Sequence, residues 1–209
     1  MLEYDSFMRR KDQRARREQL VEAARAVMAD RGAVAIRVKD VADRAGVSAS
    51  SLLYYYPDFE ELLFAVARDA IDRYTEERAA AVRREPDPLG RLRTAIRLGV
   101  PTGPDDEQSR ILYELDAFTG TSAGFAVLST GFFDRQVSLY ESIFEYGRVA
   151  GAFRLECPPV DLARQMIGLE DGLGLQVVIG HPLLDSAEAE RLLLAFALRA
   201  VGAGDTVGA

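Results

Sequence analysis

Few side chains of this sequence could perform covalent chemistry, and those few are isolated from one another. The single histidine, His181, and the single cysteine, Cys157, each lie beside a proline at a different predicted helix break, so neither has a catalytic partner nearby. Glu170 and Asp171 are neighbours in sequence and project apart on a helix, which is poor geometry for an acid–base pair. The glycines of residues 168–174 follow no predicted strand and do not match a dinucleotide-binding pattern. We therefore predict no catalytic residue, no metal site and no cofactor.

A different set of side chains, in a short predicted helix, could bind a polyanion without covalent chemistry. A serine hydroxyl can hydrogen-bond a phosphate or a base edge, while alanine or leucine can contact a thymine methyl group. The candidates in this helix are Ser48, Ala49, Ser50, Ser51, Leu53, Tyr54 and Tyr55. For Tyr55, packing in the core is an equally good interpretation. No arginine is present for a bidentate contact with guanine, so we expect apolar contacts and DNA shape to set the sequence preference.

The helix that carries these residues is the second of a pair joined by a tight turn. Val41 and Ala45 recur at helical spacing and give the first helix an apolar face. Gly46 favours a left-handed end to that helix, and the Ser48 hydroxyl can cap the start of the next one. Pro57 ends the second helix, because a proline disfavours helical geometry in the residue before it. This pattern predicts a helix-turn-helix, whose second helix enters the major groove of DNA.

The same stretch resembles the DNA-binding module of the tetracycline-repressor (TetR) family. The resemblance covers residues 14–64 in ordered pieces: a basic first helix ending at Asp30-Arg31-Gly32, then Val41-Ala42, Ala45-Gly46-Val47-Ser48, Leu52, Tyr55-Tyr56-Pro57 and Glu60-Glu61-Leu62. It implies that Lys39 reaches a base and that Arg37 reaches a phosphate. The family usually has Tyr and Lys, both facing DNA, where this chain has Leu53 and Phe59. These departures concern the DNA contacts and the affinity, since the core positions match.

The charge of the chain is unevenly distributed. The net charge is −7 at pH 7, yet residues 1–57 hold 11 basic and 8 acidic side chains and are net positive. The remaining residues are strongly acidic. This asymmetry would turn the N-terminal face towards phosphate, although solvated faces can also differ in charge by chance. Residues 1–10 are expected to form a disordered arm before the first helix.

The sequence after residue 58 shows helical periodicity and no sustained strand alternation. We predict an all-α chain of about nine helices, with an arm and helix-turn-helix domain at 1–58 and a helical ligand-binding and dimerisation domain at 59–209. The family resemblance implies a small-molecule pocket among the middle helices. Its candidate lining residues are Tyr113, Asp116, Phe118, Phe125, Phe132, Phe133, Gln136, Tyr140 and Glu170. An acidic member would favour a cationic ligand, although the aromatic residues could equally form the core.

The last two predicted helices carry small and apolar residues that could contact a second copy of the chain. Gly168 and Gly172 lie one turn apart, where missing side chains let another helix approach closely. In the family, the corresponding helices pair with their copies in a four-helix dimer interface. The candidates are Gly168, Gly172, Leu175, Leu193 and Phe196. Packing within one chain is the alternative.

These features and the family resemblance together predict a cytoplasmic, homodimeric transcriptional regulator that binds a palindromic double-stranded DNA operator. The resemblance alone implies that it is a repressor, which a small molecule releases from the operator. We see no signal peptide and no apolar run of the roughly 20 residues that span a bilayer. Two alternatives stay open. One is a small-molecule-binding protein with a weakened DNA-binding module, which Leu53 and Phe59 favour. The other is a helical enzyme with a vestigial N-terminal module.

Overall fold

The computed structural model describes residues 2–33, 35–115, 118 and 122–203, and within them the long regular elements are α-helices with no strand. The predicted all-α fold of about nine helices is confirmed. The helices are α1 (Leu2–Arg31), α2 (Val38–Ala45), α3 (Ala49–Tyr55), α4 (Phe59–Arg84), α5 (Pro88–Gly99), α6 (Glu107–Leu115), α7 (Ala123–Val149), α8 (Pro159–Val178) and α9 (Ser186–Ala200).

The first helix begins ten residues earlier than its apolar stripe suggests. Helix α1 starts at Leu2, so the expected disordered arm over residues 1–10 is wrong for the backbone of residues 2–10. The physical reason is local. Residues 2–11 contain neither glycine nor proline and include several strong helix formers, so nothing in this segment stops the helix.

The turn between α2 and α3 forms as its residue types predict. Gly46 adopts a left-handed backbone with φ of 66° and ψ of 35° at the end of α2. The Ser48 hydroxyl oxygen accepts a hydrogen bond from the Ser51 backbone N–H at 3.1 Å, which caps α3. Helix α4 is capped in a related way, because Asp58 Oδ1 accepts from the Glu60 N–H at 2.9 Å.

The chain forms two compact units, and their boundary differs from the predicted one at residues 58 and 59. The N-terminal unit comprises Met1–Ile71 and Ile111–Ala126. Its core contains Leu20 and Met28 of α1, Val41 of α2, Leu52 of α3 and Leu62 of α4, all at most 1% exposed. The first half of α4 belongs here because α1, α2 and α3 bury too little apolar surface by themselves.

The body unit comprises Asp72–Arg110 and Val127–Ala209. Its core is a continuous apolar cluster from α5, α7, α8 and α9, in which Ile96, Tyr140, Phe144, Met166 and Leu193 are at most 1% exposed. Helices α4, α6 and α7 contribute residues to both units. In the described part of the chain, no helix is both long enough and apolar enough to span a bilayer.

Candidate functional sites

The exposed face of the helix-turn-helix carries most of the predicted DNA-contacting residues. Tyr54 is 71% exposed and Leu53 is 40% exposed, whereas Leu52 is fully buried against the other helices of the unit. The remaining exposed positions are Arg37, Lys39, Ser48, Ala49 and Ser50, and the half-buried ones are Ser51 and Tyr55. The outward surface of α3 is therefore made of short side chains with one projecting phenol, which suits close approach to a groove.

Ser48 and Tyr55 also make contacts within the chain. The Ser48 hydroxyl caps α3 and lies 2.9 Å from the Ser50 hydroxyl, so it is engaged within the chain. The Tyr55 ring packs edge-on against the Tyr54 ring, with centroids 5.2 Å apart. By contrast, neither Arg37 nor Lys39 forms an ion pair with any residue that the structure describes, so both cations are available to phosphate.

Sequence reasoning missed the side chains that hold the helix-turn-helix against α1. Arg44 forms an ion pair with Asp30 at 2.5 Å, and Arg31 forms one with Asp40 at 2.6 Å. The Arg17 guanidinium lies over the buried Tyr56 ring, 4.4 Å from its centroid. These partners do not lie on the same helix, so no local signal in the sequence assigned them.

The predicted ligand residues divide between the two units. In the N-terminal unit, Phe125 is buried and stacks on Phe118 with centroids 5.5 Å apart, and it meets Phe64 edge-on at 5.6 Å. Tyr113 is half-buried in the same unit. Asp116 lies outside the described residues. These contacts give Phe118 and Phe125 a packing role, in line with the core interpretation of the aromatic residues.

In the body unit, the structure brings Tyr140 and Glu170 together around an arginine that sequence reasoning did not single out. The Glu170 carboxylate accepts from Arg78 Nη1 at 2.8 Å and from Nη2 at 2.7 Å, and both side chains are 2% exposed. The Tyr140 hydroxyl accepts from Arg78 Nη2 at 3.1 Å and donates to Glu170 Oε2 at 2.6 Å. The Ala95 carbonyl accepts from Arg78 Nε and Nη2.

This network leaves Glu170 without an unpaired charge. Arg78 already occupies both carboxylate oxygens, so the structure gives Glu170 a partner within the chain and does not favour its expected role in selecting a cationic ligand. Burial alone would lower the pKa of Arg78, but the Glu170 carboxylate raises it well above its ordinary value. Burial raises the pKa of the Tyr140 hydroxyl, so this phenol stays neutral and can donate its proton to Glu170.

Tyr74 and Gln136 also bind Arg78 and complete the network. Arg78 Nη1 donates to the Tyr74 hydroxyl at 3.0 Å and to Gln136 Oε1 at 3.0 Å. Gln136 is 5% exposed, and Phe132 meets the Tyr74 ring edge-on with centroids 5.7 Å apart. Burial raises the pKa of the Tyr74 hydroxyl. Phe133, by contrast, is 39% exposed.

A cleft of about 380 Å³ lies beside this network within the body unit, formed by residues of α4 and α7. Arg78, Tyr74 and Gln136 are the part of the network that lines it. The complete lining is Tyr74, Thr75, Glu76, Arg78, Ala79, Arg83, Arg135, Gln136, Ser138 and Leu139. Among the predicted ligand residues that the structure describes, only Gln136 lines this cleft. Tyr140 and Glu170 hydrogen-bond Arg78, which also lines it.

The predicted dimer-interface residues differ in how much of each is exposed to solvent, and so in whether they could contact a second chain. A Cβ added at Gly168 or Gly172 would meet no described atom within 4 Å, and Leu175 is 42% exposed. Phe196 is half-buried. Leu193 is 1% exposed and belongs to the core of the body unit, so it packs within its own chain, which was the alternative interpretation. Both faces of α9 carry leucines, and periodicity alone could not tell which face α8 covers.

The described residues include no group of three or more His, Cys, Asp or Glu side chains arranged to hold a metal ion. His181 is exposed, and its Nδ1 accepts from the Leu183 N–H at 3.2 Å. Cys157 is half-buried, with its thiol free of any disulfide. Neither residue gains a catalytic partner from the fold, among the side chains that the structure describes.

The N-terminal helices are similar in sequence to known regulatory proteins. Residues 20–66 match the family model described as bacterial regulatory proteins, tetR family. The HTH-type transcriptional regulator BetI of Rhizobium meliloti is 32% identical over 83 residues, which cover 40% of this chain and 41% of that protein. The regulator RutR of Escherichia coli K12 is 30% identical over 106 residues, covering 51% and 50%. The matched part thus spans about half the length, or less, of these curated relatives.

The likeness of the fold extends further than that of the sequence. A transcriptional regulator from Saccharomonospora viridis, crystallised in complex with choline, superposes with a TM-score of 0.80. The alignment covers 86% of this chain and 94% of that one at 23% identity. At this level of identity the likeness establishes the fold and carries no information on the ligand of this chain.

Proposed function

We propose that this chain, which belongs to the tetR family of bacterial regulatory proteins through its N-terminal helices, is a ligand-responsive DNA-binding transcriptional regulator. The observation that carries the proposal is the outward face of α3, which is flanked by Arg37 and Lys39, two exposed cations without an ion pair among the described residues. A face of this kind can enter a major groove while the cations contact phosphates. Its place of action is the cytoplasm, where bacterial DNA lies.

The proposed DNA readout relies on few direct hydrogen bonds to bases. Ser50 and Tyr54 are the exposed hydroxyl donors on α3, and Leu53 and Ala49 are the exposed apolar contacts. Lys39 is placed at the start of α2. We expect the helix to discriminate mainly through thymine methyl contacts and through the deformability of the site, because no guanidinium on α3 can bind guanine.

We further propose that the regulator is a homodimer that binds a palindromic operator. The support is the outer surface of α8, where Gly168 and Gly172 are open and Leu175 is 42% exposed, together with Ile179 just after the helix, which is 64% exposed. Two open glycines one turn apart allow close approach of a second helix, and the neighbouring leucine and isoleucine would be buried by it. A twofold dimer presents two α3 helices to two half-sites.

The proposed effector acts through α4, which contributes Phe59–Ile71 to the N-terminal unit and Asp72–Arg84 to the body unit. Arg78 ties the second half of this helix to Ala95 of α5, Gln136 of α7 and Glu170 of α8. A ligand that binds more tightly when this half of α4 takes a different position would lower the population of the DNA-binding conformer. The expected coupling is about 1–3 kcal/mol, and repression relieved by the ligand is the simplest outcome.

The direct test is fluorescence anisotropy of the full chain with the DNA just upstream of its own gene, compared with a scrambled duplex over a salt series. A regulator binds the upstream DNA more tightly, with an affinity that falls as salt rises. Equal and weak binding to both duplexes would count against a regulator of its own gene. A genome-wide selection of bound fragments would then separate a distant operator from the absence of specific binding.

The second candidate is a small-molecule-binding protein whose DNA-binding module is weakened. It is favoured by Leu53 and Phe59, which stand where the family usually has DNA-facing Tyr and Lys residues. Phe59 is half-buried at the start of α4, so it offers no charge to phosphate. This candidate predicts ligand binding to the body unit without sequence-specific DNA binding. A vestigial enzyme would, in addition, convert the bound ligand.

A further inference from the structure

The cleft between α4 and α7 has a floor whose hydrogen-bonding polarity is set by one buried residue. Arg78 carries five N–H donors and no acceptor. It donates to the Tyr74 hydroxyl oxygen and to Gln136 Oε1, both at 3.0 Å. The oxygen of each partner must therefore face the guanidinium. Since a guanidinium cannot accept, the Tyr74 proton and the Gln136 amide hydrogens are directed away from Arg78.

The floor of the cleft thus offers donors rather than acceptors. Within the described residues, no acceptor is recorded for the Tyr74 hydroxyl proton or for the Gln136 amide nitrogen, and both residues line the cleft. Glu170, which could have supplied acceptors, has both oxygens occupied by Arg78. Two donors without acceptors, at the base of a concave site, favour an acceptor-rich ligand.

The rim of the cleft adds positive charge. Arg83 is exposed and has no described ion pair, and Arg135 is paired only with Asp72, at 2.8 Å and with both side chains nearly half exposed. An exposed pair of this kind contributes little to stability, so Arg135 can be shared with a ligand at small cost. Glu76 is the one acidic residue of the lining, and it is exposed. Ala79 and Leu139 supply apolar surface.

We infer that the effector of this protein is a small carboxylate with an apolar body, bound in the cleft between α4 and α7. The inference rests on the proposed function, because it names the ligand class of the proposed effector site. The carboxylate accepts from the Tyr74 hydroxyl and the Gln136 amide and faces Arg83 and Arg135, while the apolar body contacts Leu139 and Ala79. Charge-assisted hydrogen bonds of this kind are stronger than neutral ones, which explains the selectivity for an anion.

The test uses three series of straight-chain probes with four to eight carbons that share an apolar body and differ in the head group. These are carboxylates, primary alcohols and trimethylammonium salts, titrated calorimetrically into the full chain without DNA. We expect the carboxylates to bind at least about ten-fold more tightly than the alcohols of equal length. We expect no measurable binding of the ammonium series.

Two variants locate the site. Arg83→Gln should weaken carboxylate binding by about ten-fold, because it removes the rim charge without altering the buried network. Ala79→Leu should abolish binding by filling the cleft. Arg93→Gln is the matched control, since Arg93 is exposed in the same unit and does not line the cleft. Its affinity should equal that of the unmodified chain.

The outcomes are separable from those of the proposed function. Tighter binding of the ammonium series, or no binding of any carboxylate, overturns the inference whatever the protein does to DNA. Carboxylate binding that Ala79→Leu leaves unchanged also overturns it, because the ligand then lies elsewhere. If carboxylates bind in the cleft but do not alter operator affinity in the anisotropy assay, the ligand class stands and the proposed regulatory response fails.

Discussion

The Glu170 carboxylate and the Arg78 guanidinium face each other through two hydrogen bonds of 2.8 and 2.7 Å, and each side chain is 2% exposed. Arg78 is on α4 and Glu170 on α8, 92 residues apart in sequence. Because both charges are buried, each one needs the other as its counter-ion. Removing either side chain would leave the remaining charge buried without compensation.

Breaking this pair should be far more damaging than breaking an exposed one. We expect Glu170→Gln to lower the free energy of unfolding by about 3–5 kcal/mol, because the Arg78 charge stays buried without its counter-ion. Arg164→Gln is the control, since Arg164 pairs with Asp161 at the surface with 60% and 49% of the side chains exposed. It should change stability by less than about 1 kcal/mol. Urea unfolding followed by circular dichroism measures both, and equal effects would contradict the assigned role.

The absence of a side chain at Gly99 is required for the same pair. A Cβ at this position would lie 2.3 Å from Arg78 Nη2 and 2.3 Å from the Glu170 carboxyl group. Gly99→Ala should therefore destabilise the fold by about 1–3 kcal/mol, although alanine is the better helix former. Gly131→Ala is the contrast, because a Cβ there would meet nothing within 4 Å. It should be neutral or stabilising by up to about 1 kcal/mol, and thermal unfolding that ranked the two variants the other way would disprove the packing argument.

Asp106, the residue before α6, should make part of the stability depend on acid pH. Its carboxylate accepts from the Thr102 N–H at 2.9 Å, the Thr102 hydroxyl at 3.0 Å and the Ser109 N–H at 2.9 Å. Burial alone would raise the pKa of Asp106, but these hydrogen bonds lower it below its ordinary value. The stability that it contributes is therefore present above the unfolded-state pKa and is lost as the pH falls through the folded-state pKa.

Accordingly, Asp106→Ala should lower the free energy of unfolding by about 1 kcal/mol at pH 7. The difference in the free energy of unfolding between this variant and the unmodified chain should become smaller below about pH 4, because protonation of Asp106 then removes the same charged hydrogen bonds from the unmodified chain. Asp105→Ala serves as the control, because Asp105 is exposed and precedes the capping position. Unfolding midpoints measured from pH 7 to pH 3 test this. A difference between Asp106→Ala and the unmodified chain that stays constant over this range would exclude the charged hydrogen bonds as its cause.

Lys39 should contribute to DNA binding through charge. It is exposed at the start of α2 and forms no described ion pair. Lys39→Gln should weaken operator affinity and reduce the slope of log affinity against log salt by about 1, if Lys39 neutralises a phosphate. A loss of affinity that differs strongly between operator variants, with an unchanged slope, would instead assign Lys39 to a base. Arg93→Gln on the body unit should leave both quantities unchanged.

Gly172 should be dispensable for folding and necessary for dimerisation. A Cβ added there would meet no described atom of its own chain within 4 Å, so we expect Gly172→Leu to retain the helical circular dichroism signal. The same leucine would hold a second α8 apart, and we expect the sedimentation velocity profile to shift from dimer to monomer. Gly131→Leu on α7 is the control, also with open space around it. A dimer that survives Gly172→Leu would move the interface away from this face of α8.

Local signals were sufficient for the helix-turn-helix. Gly46, Ser48 and Pro57 each act through their own backbone or the adjacent turn, so their effects are contained in a few consecutive residues. The buried positions Val41 and Leu52 follow from helical periodicity in the same way. The fold class and the exposed face of α3 could therefore be predicted without coordinates. The extension of α1 back to Leu2 was missed, because helix-favouring residues in a charged terminus resemble an unstructured arm. The ion pairs of Arg44 with Asp30 and of Arg31 with Asp40 were also missed, because each joins residues of different helices.

The body unit depended on the tertiary structure. Arg78 lay in an exposed-looking charged run, and its partners Ala95, Gln136 and Glu170 come from three other helices. No pattern of the sequence encodes which distant helices meet, so Glu170 was assigned to a ligand and Leu193 to a dimer interface. The helix-turn-helix and the exposed face of α3 were determined by the sequence, because both arise from residues that are close together in the chain. The pairing of Arg78 with Glu170, and the donor-lined cleft beside it, were decided only when the helices packed.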